Sequence, residues 1–205
     1  MPHYKLHYFE IRSRGEPIRL MFTYRGVPFE DHKIRVNEWP SKKSSYPNGI
    51  LPLLEVDGVQ VNQSMAIYRY LSKQLDLNGK TDLEAAQIDS SAELFRDFVE
   101  SIKEYFQNAL KESPAKERLR KEQFLPAIAT YLPQLEEIIR SSGSGFFAKS
   151  GLTWVDFYVS ESIRTIKGIE GEALKSYPLI LNHNSKFYEM PELKAYLDKR
   201  GPVPY

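Results

Sequence analysis

Gln63 and Ser64 stand at the point in "LPLLEVDGVQVNQSMAIYRYL", residues 51 to 71, where short apolar runs give way to helical spacing. The first N–H groups of a helix have no partner within it, and the helix dipole favours an anion there. A serine hydroxyl and a glutamine carboxamide at that end are donors suited to a carboxylate. An ordinary N-cap serine beside a surface glutamine accounts for the same pair. "YFEIRSRGEP" is a second candidate, because Tyr8 closes a period-two segment while Arg12 and Arg14 precede a helix. A tyrosine hydroxyl and a nearby guanidinium could together hold a thiolate. A thiol of pKa about 8.5 must fall to about 6.5 to be mostly ionised at neutral pH, which takes about 2.7 kcal/mol of preferential stabilisation. One charge-assisted hydrogen bond and an arginine field are of that size. The alternative is a core tyrosine bonded to a backbone carbonyl, since the chain has 13 tyrosines.

Two further spots carry donors. Trp39 and Lys43 lie four apart in a turn-rich stretch, and an indole N–H with an ammonium could take a second carboxylate. The same pair is also ordinary on a surface loop. Leu51-Pro52 opens a strand. Proline at a strand entry is allowed, and a cis bond there would turn the preceding N–H and C=O towards a ligand; a trans edge proline is the plainer reading. The four histidines, His3, His7, His32 and His183, show no metal-ligand spacing, so no metal is expected. Cysteine is absent, which excludes disulfides, thiolate-ligated metals and any cysteine nucleophile.

The elements that must position these residues can be read from periodicity. In "YKLHYF", Tyr4, Leu6 and Tyr8 share one face and Lys5, His7 and Phe9 the other, as in a strand. "GEPIRLMFTYRG" predicts a helix with Pro17 in its first turn and Gly26 at its end. "VPFEDHKIRV" predicts a second strand, and "EWPSKKSSYPNG" an irregular connection. "LPLLEV", Asp57-Gly58 and "VQVNQ" predict a β-hairpin. A helix follows from Ser64 through Ile67, Tyr70, Leu71 and Leu75. From Asp82 onward no strand is expected. Phe95, Phe98, Val99, Ile102 and Phe106 form one helical stripe, and Leu125, Ile128, Leu132, Leu135 and Ile139 another. "LTWVDFY" has the form of a helix start, with Thr153 as N-cap and Asp156 three residues on.

The chain has 205 residues, comfortable for two small domains, with 41% hydrophobic and 27% charged residues. Lysine plus arginine (28) nearly balances aspartate plus glutamate (27), giving a formal charge of +1. Nothing in that balance favours nucleic acid or an anionic membrane as partner. No apolar run reaches the roughly 18 residues of a membrane span, and the N-terminus lacks a signal-peptide core, so a cytoplasmic protein is expected.

In order and spacing, "YKLHYFEIRSRGEPIRLMF", "FEDHKIRVNEWP", "LPLLEVDG", "QSMAIYRYL" and "SGFFAKSGLTWVDFY" resemble the glutathione transferases of the sigma class, most of all the nematode members, relatives of haematopoietic prostaglandin D synthase. The resemblance implies an α/β thioredoxin-like glutathione-binding domain over residues 1–78, an all-α helical domain over 79–205, and a homodimer. It implies that Tyr8 activates the glutathione sulfur with Arg14 in support, beside Phe9. Trp39, Lys43, Gly49 and Ile50 would lie at the glycine end. Leu51, before a cis Pro52, would pair with the cysteinyl unit, and Gln63 and Ser64 with the γ-glutamyl carboxylate. Asp97 would reach the γ-glutamyl amine bound to the partner subunit, and Asp156 would be a structural helix cap. Phe9, Ile11, Tyr105 and Phe106 are the expected walls of an acceptor pocket. The family commonly has a hydrogen-bonding side chain where Ile50 stands and glycine where Ser13 stands. Some relatives bind a divalent cation near Asp97, but here Arg96 stands between Glu93 and Asp97. The implied activity is conjugation of glutathione to electrophilic apolar molecules, in detoxification. Isomerisation of prostaglandin H to prostaglandin D, reduction of hydroperoxides, and non-enzymatic binding of haem or other apolar ligands remain as alternatives.

Overall fold

The computed structural model describes residues 2–111 and 113–201. The chain begins with β1 (Tyr4–Phe9), a helical turn at Ser13–Gly15, α1 (Glu16–Tyr24) and β2 (Glu30–Ile34). The connection after β2 holds four short helical turns, one of them α2 (Trp39–Lys42). Next come β3 (Leu53–Val56), β4 (Val59–Asn62) and α3 (Ser64–Gln74). These make a four-stranded mixed sheet in the order β2-β1-β3-β4, with β1 parallel to β2 and antiparallel to β3. The expected thioredoxin-like topology is present.

Local sequence explains the turns. Asp57 and Gly58 have φ of 49° and 84°, the two positive values that a tight I′ hairpin turn requires. The Asp57 side chain also accepts the His3 N–H at 2.8 Å. Leu6 is paired with Leu54, and Leu54 with Val61, so one sheet face is apolar. Ile18, Met21 and Phe22 of α1 and Ile67, Tyr68 and Leu71 of α3 are fully buried, and α1 and α3 pack together. The opposite sheet face carries Lys5, His7, Glu30, His32 and Glu55, set side by side by the strand register.

Contacts divide the chain into two units, and the chain passes between them twice, at Asn78–Gly79 and at Phe187–Tyr188. By contacts, the described residues from Tyr188 onward group with the first unit, and Gly79–Phe187 form the second. The cause is ionic. Glu16 of α1, buried, accepts from Arg19, from the Tyr196 hydroxyl at 2.8 Å and from Arg200. Tyr196 and Arg200 belong to α10 (Pro191–Arg200), which is thereby tied to α1.

The helical unit contains α4 (Asp82–Ser101), α5 (Lys103–Ala109), α6 (Lys116–Leu119), α7 (Leu125–Ser142), α8 (Trp154–Leu174) and α9 (Pro178–Tyr188). The two predicted stripes are largely buried, with Phe95, Phe98, Ile102, Leu132 and Leu135 at its centre. The α8 capping box is closed: Asp156 accepts the Thr153 N–H at 2.7 Å and its hydroxyl at 3.1 Å. His183 Nε2 lies 2.8 Å from the same carboxylate. Among the described residues, no helix is long and apolar enough to cross a membrane.

Candidate active site

Strand register gathers the candidate segments at one end of the sheet. Phe9 at the end of β1 pairs with Ile34 at the end of β2, and His7 pairs with Leu53 at the start of β3. Leu53 in turn pairs with Asn62 at the end of β4. The segments that follow or precede these residues therefore converge: Ser13–Gly15, the connection from Val36 to Leu51, and Gln63-Ser64. Asn62 fastens two of them by donating to the Pro47 carbonyl at 3.2 Å.

Tyr8 is buried, and its hydroxyl oxygen accepts the Arg14 N–H at 3.2 Å. The Arg14 carbonyl accepts the Tyr68 hydroxyl at 2.7 Å, so one peptide segment is clamped between two tyrosines. Gly15 permits that approach, since a Cβ there would sit 2.2 Å from Tyr8 Cδ1. With its oxygen occupied by a donor, the Tyr8 hydroxyl has its own proton to give. Among the described residues no acceptor takes it. Arg14 is exposed, whereas Arg12 is buried and its carbonyl starts α1 by accepting the Glu16 N–H at 3.0 Å. Ser13, in the place of a common glycine, sits at φ 37°, on the left-handed side where glycine is free of strain and serine is not.

The strand end that presents Tyr8 is fixed by Arg19. This buried guanidinium donates to the carbonyls of Phe9 at 3.0 Å and Ile11 at 2.9 Å, and to both oxygens of Asp31. Burial opposes its charge, but Asp31 and Glu16 outweigh that and hold its pKa above the usual value.

Gln63 is the N-cap of α3, and Ser64 is the first helical residue, so the capping position lies one residue earlier than a serine cap requires. Gln63 has φ 72° and ψ 116°, a region costly for a residue with a side chain, by about 1–3 kcal/mol. Its side chain is exposed and caps nothing. The Leu51-Pro52 bond is cis, with Pro52 buried. Across the connection, Trp39 stands edge-on to Phe9 with ring centres 5.4 Å apart, and Lys43 is exposed. Gly49 has φ 57°, and a Cβ there would press on Lys43 Cγ and Cε at 3.1 Å. Ile50 is half-buried in extended backbone.

The candidates in the helical unit are placed differently. Asp97 is exposed on α4, and Arg96 pairs with Glu93 at 2.7 Å. Among the described residues no group of three or more acidic or histidine side chains is placed to hold a metal ion. Tyr105 is fully buried against Phe124, 4.9 Å between ring centres, and its hydroxyl donates to Glu170, which Arg120 also holds. It has no accessible surface with which to line a pocket. Phe106, half-buried, keeps some. A cavity of about 340 Å³ lies between α4, α7 and the loop through Ala148; Glu84, at its edge, is already bonded to the Lys80 and Ser150 N–H groups.

Tyr68, Arg19 and Tyr46 are the residues of this end of the sheet that sequence reasoning missed. Tyr68 reaches Arg14 across 54 positions, and no local pattern marks such a contact.

The Tyr8 hydroxyl with a proton to give, the α3 N-terminus with the exposed Gln63 carboxamide, and the connection that carries Trp39 and the exposed Lys43 thus lie at one end of the sheet. The family pattern described as "Glutathione S-transferase, N-terminal domain" matches residues 4–73, and that of the C-terminal domain matches residues 96–200. Glutathione S-transferase 1 of Ascaris suum is 39% identical over 206 residues, covering 100% of both chains. A monomeric glutathione S-transferase from the hookworm Necator americanus superposes with a TM-score of 0.92 at 32% identity, over 99% of this chain and 100% of that one. The structure of prostaglandin synthase D of Nilaparvata lugens gives 0.86 at 36% identity, over 98% and 100%. With both domains matched and relatives alike from end to end, the chain belongs to the glutathione S-transferase family and is an enzyme of that kind.

Proposed function

We propose that this transferase is of the sigma class and conjugates the glutathione thiolate to electrophilic, largely apolar molecules, in cytoplasmic detoxification. Tyr8 donates its hydroxyl proton as a hydrogen bond to the sulfur, and the exposed guanidinium of Arg14 adds positive potential. Stabilising the thiolate lowers the thiol pKa, and holding it still supplies a positioned nucleophile without a general base. Gln63, Ser64 and the free N–H groups of α3 hold the γ-glutamyl carboxylate. The Leu51 backbone pairs with the cysteinyl unit, and Trp39 and Lys43 hold the glycine carboxylate beside Gly49 and Ile50. Ile50 offers no side-chain donor, so that end is held by the other two. On the side of the thioredoxin-like unit, Phe9 and Ile11 line the acceptor pocket. In a homodimer, Asp97 completes the partner's site at the γ-glutamyl amine.

The observation that carries this reading is the Arg14 N–H on the Tyr8 oxygen at 3.2 Å, which leaves the hydroxyl proton for a ligand. The chain has no cysteine, so thiolate absorbance on adding glutathione reports glutathione alone. Titrated from mildly acidic to mildly basic pH, bound glutathione should ionise with an apparent pKa of about 6.5, returning towards about 8.5 in Tyr8→Phe. Binding without ionisation would make the protein a carrier of haem or other apolar ligands. Failure to bind would sink the reading.

Isomerisation of prostaglandin H to prostaglandin D is a second reading, favoured by the likeness to the Nilaparvata lugens synthase. It uses the same thiolate against a peroxide oxygen, as hydroperoxide reduction does. Product analysis with a prostaglandin endoperoxide separates it from conjugation. Sedimentation tests the dimer, against which the monomeric hookworm relative stands.

A further inference from the structure

The polar face of the sheet meets the proposed glutathione site through one aromatic ring. His7 of β1 is set by register beside His32 of β2, with ring centres 4.9 Å apart. Glu55 of β3 brings a carboxylate oxygen to 3.4 Å from His7 Nε2, and Lys5 on the same strand is engaged by Glu30 at 2.8 Å. Despite these charged neighbours, His7 is only 8% exposed. Tyr46 meets it from the connection: its hydroxyl is 3.3 Å from His7 Nδ1, and the two rings meet edge-on at 5.6 Å. The same Tyr46 ring contacts the Trp39 indole at 5.4 Å, and Trp39 stands against Phe9, the neighbour of Tyr8. A continuous row of rings runs from a buried imidazole to the indole.

We infer that Tyr46 and His7 are positioning residues for glutathione: Tyr46, anchored by its hydroxyl on His7, holds the Trp39 indole where it meets the carboxylate of the glycine end. The inference rests on the glutathione reading given above. Trp39 lies in a connection built of short turns and is only half-buried. An indole free to change rotamer there would have to be immobilised on binding, at about 0.5–1.5 kcal/mol. The anchor removes that cost in advance. With the proton of neutral His7 on Nε2, which faces Glu55 at 3.4 Å without making a hydrogen bond, the Nδ1 lone pair accepts the Tyr46 hydroxyl. Burial favours this neutral form, against the pull of Glu55 and together with the repulsion of His32, and lowers the His7 pKa.

The test uses the full chain and S-methylglutathione, which keeps both carboxylates and has no thiol to titrate. Its affinity near neutral pH is measured for wild type, Tyr46→Phe, His7→Gln and the double variant. Tyr46→Phe keeps both ring contacts and removes only the anchoring bond, so the fold is not at stake. Each single variant should bind about fivefold more weakly, the worth of one hydrogen bond, and the double variant no more weakly than either. KM for glutathione should rise by the same factor while kcat at saturation stays put. Unchanged affinity in Tyr46→Phe, or losses that multiply in the double variant, would overturn the anchor. If wild type itself does not bind S-methylglutathione, the glutathione reading fails, and the anchor fails with it.

Discussion

Glu16 in the thioredoxin-like unit and Asp156 in the helical unit are both buried carboxylates, satisfied by opposite means. Glu16 faces two guanidinium groups, Arg19 and Arg200, with the Tyr196 hydroxyl alongside. Asp156 collects N–H and O–H groups: Thr153 twice, the Phe147 N–H at 3.1 Å, and His183 at 2.8 Å. Among the described residues His183 Nδ1 has no hydrogen-bond partner. The first arrangement cancels charge with charge; the second converges dipoles on a charge at a helix start. An ion cluster fails as a whole when one sign is removed, because the other stays buried and uncompensated. A cage of dipoles loses its bonds singly, each worth about 1 kcal/mol.

The largest effect should follow from Glu16→Gln, which takes the shared carboxylate from Arg19 and Arg200. A loss of about 3–5 kcal/mol is expected, read from the urea midpoint, with amide exchange rising first in α1 and α10. A loss below about 1 kcal/mol would mean the cluster is solvated enough not to need its anion. Asp156→Asn should cost less, about 2–3 kcal/mol, since the amide keeps some acceptance at the cap. Its exchange signature should lie in α8 and the preceding loop; a cost above that of Glu16→Gln would reverse the comparison. Tyr196→Phe leaves both guanidiniums on Glu16 and should cost about 1 kcal/mol, and nothing further when combined with Glu16→Gln.

The smallest expected effect is a slope with pH. Burial, more than any neighbour, lowers the His7 pKa below the 6.5 of an unperturbed histidine. The unfolded chain therefore binds more protons between these two values, and stability rises with pH across that window. His7 contributes its full share above about 6.5 and loses it as pH falls through the lowered pKa. Urea midpoints of wild type and His7→Gln, compared above pH about 6.5 and at progressively lower pH, should converge on the acid side.

What was legible in the sequence is what neighbouring residues decide. Asp57-Gly58 could be read as a turn because positive φ is a property of those two residues, and Thr153 with Asp156 as a cap because three positions separate them. Tyr8, Trp39 and Ser64 stand out by type, and register explains why they share one end of the sheet. The partners that complete these features are remote. His183 joins Asp156 across 27 positions, His7 meets Tyr46 across 39, and Glu16 meets Arg200 across 184. Side-chain periodicity carries no information at such separations. Residue type does not show exposure either: Tyr105, an expected wall of the acceptor pocket, is fully buried.

The return of α10 to α1 has a consequence for how the protein is made. Translation delivers Glu16 early, while Tyr196 and Arg200 emerge only after every helix of the second unit. The sheet and its helices thus leave the ribosome before Arg200 and the Tyr196 hydroxyl, which complete their buried ion cluster, and domains generally fold as whole units during synthesis. A polypeptide halted anywhere between α4 and α9 carries a first unit whose carboxylate still lacks Arg200. Such a stalled chain keeps a buried carboxylate short of its full set of partners, however complete its amino-terminal sequence.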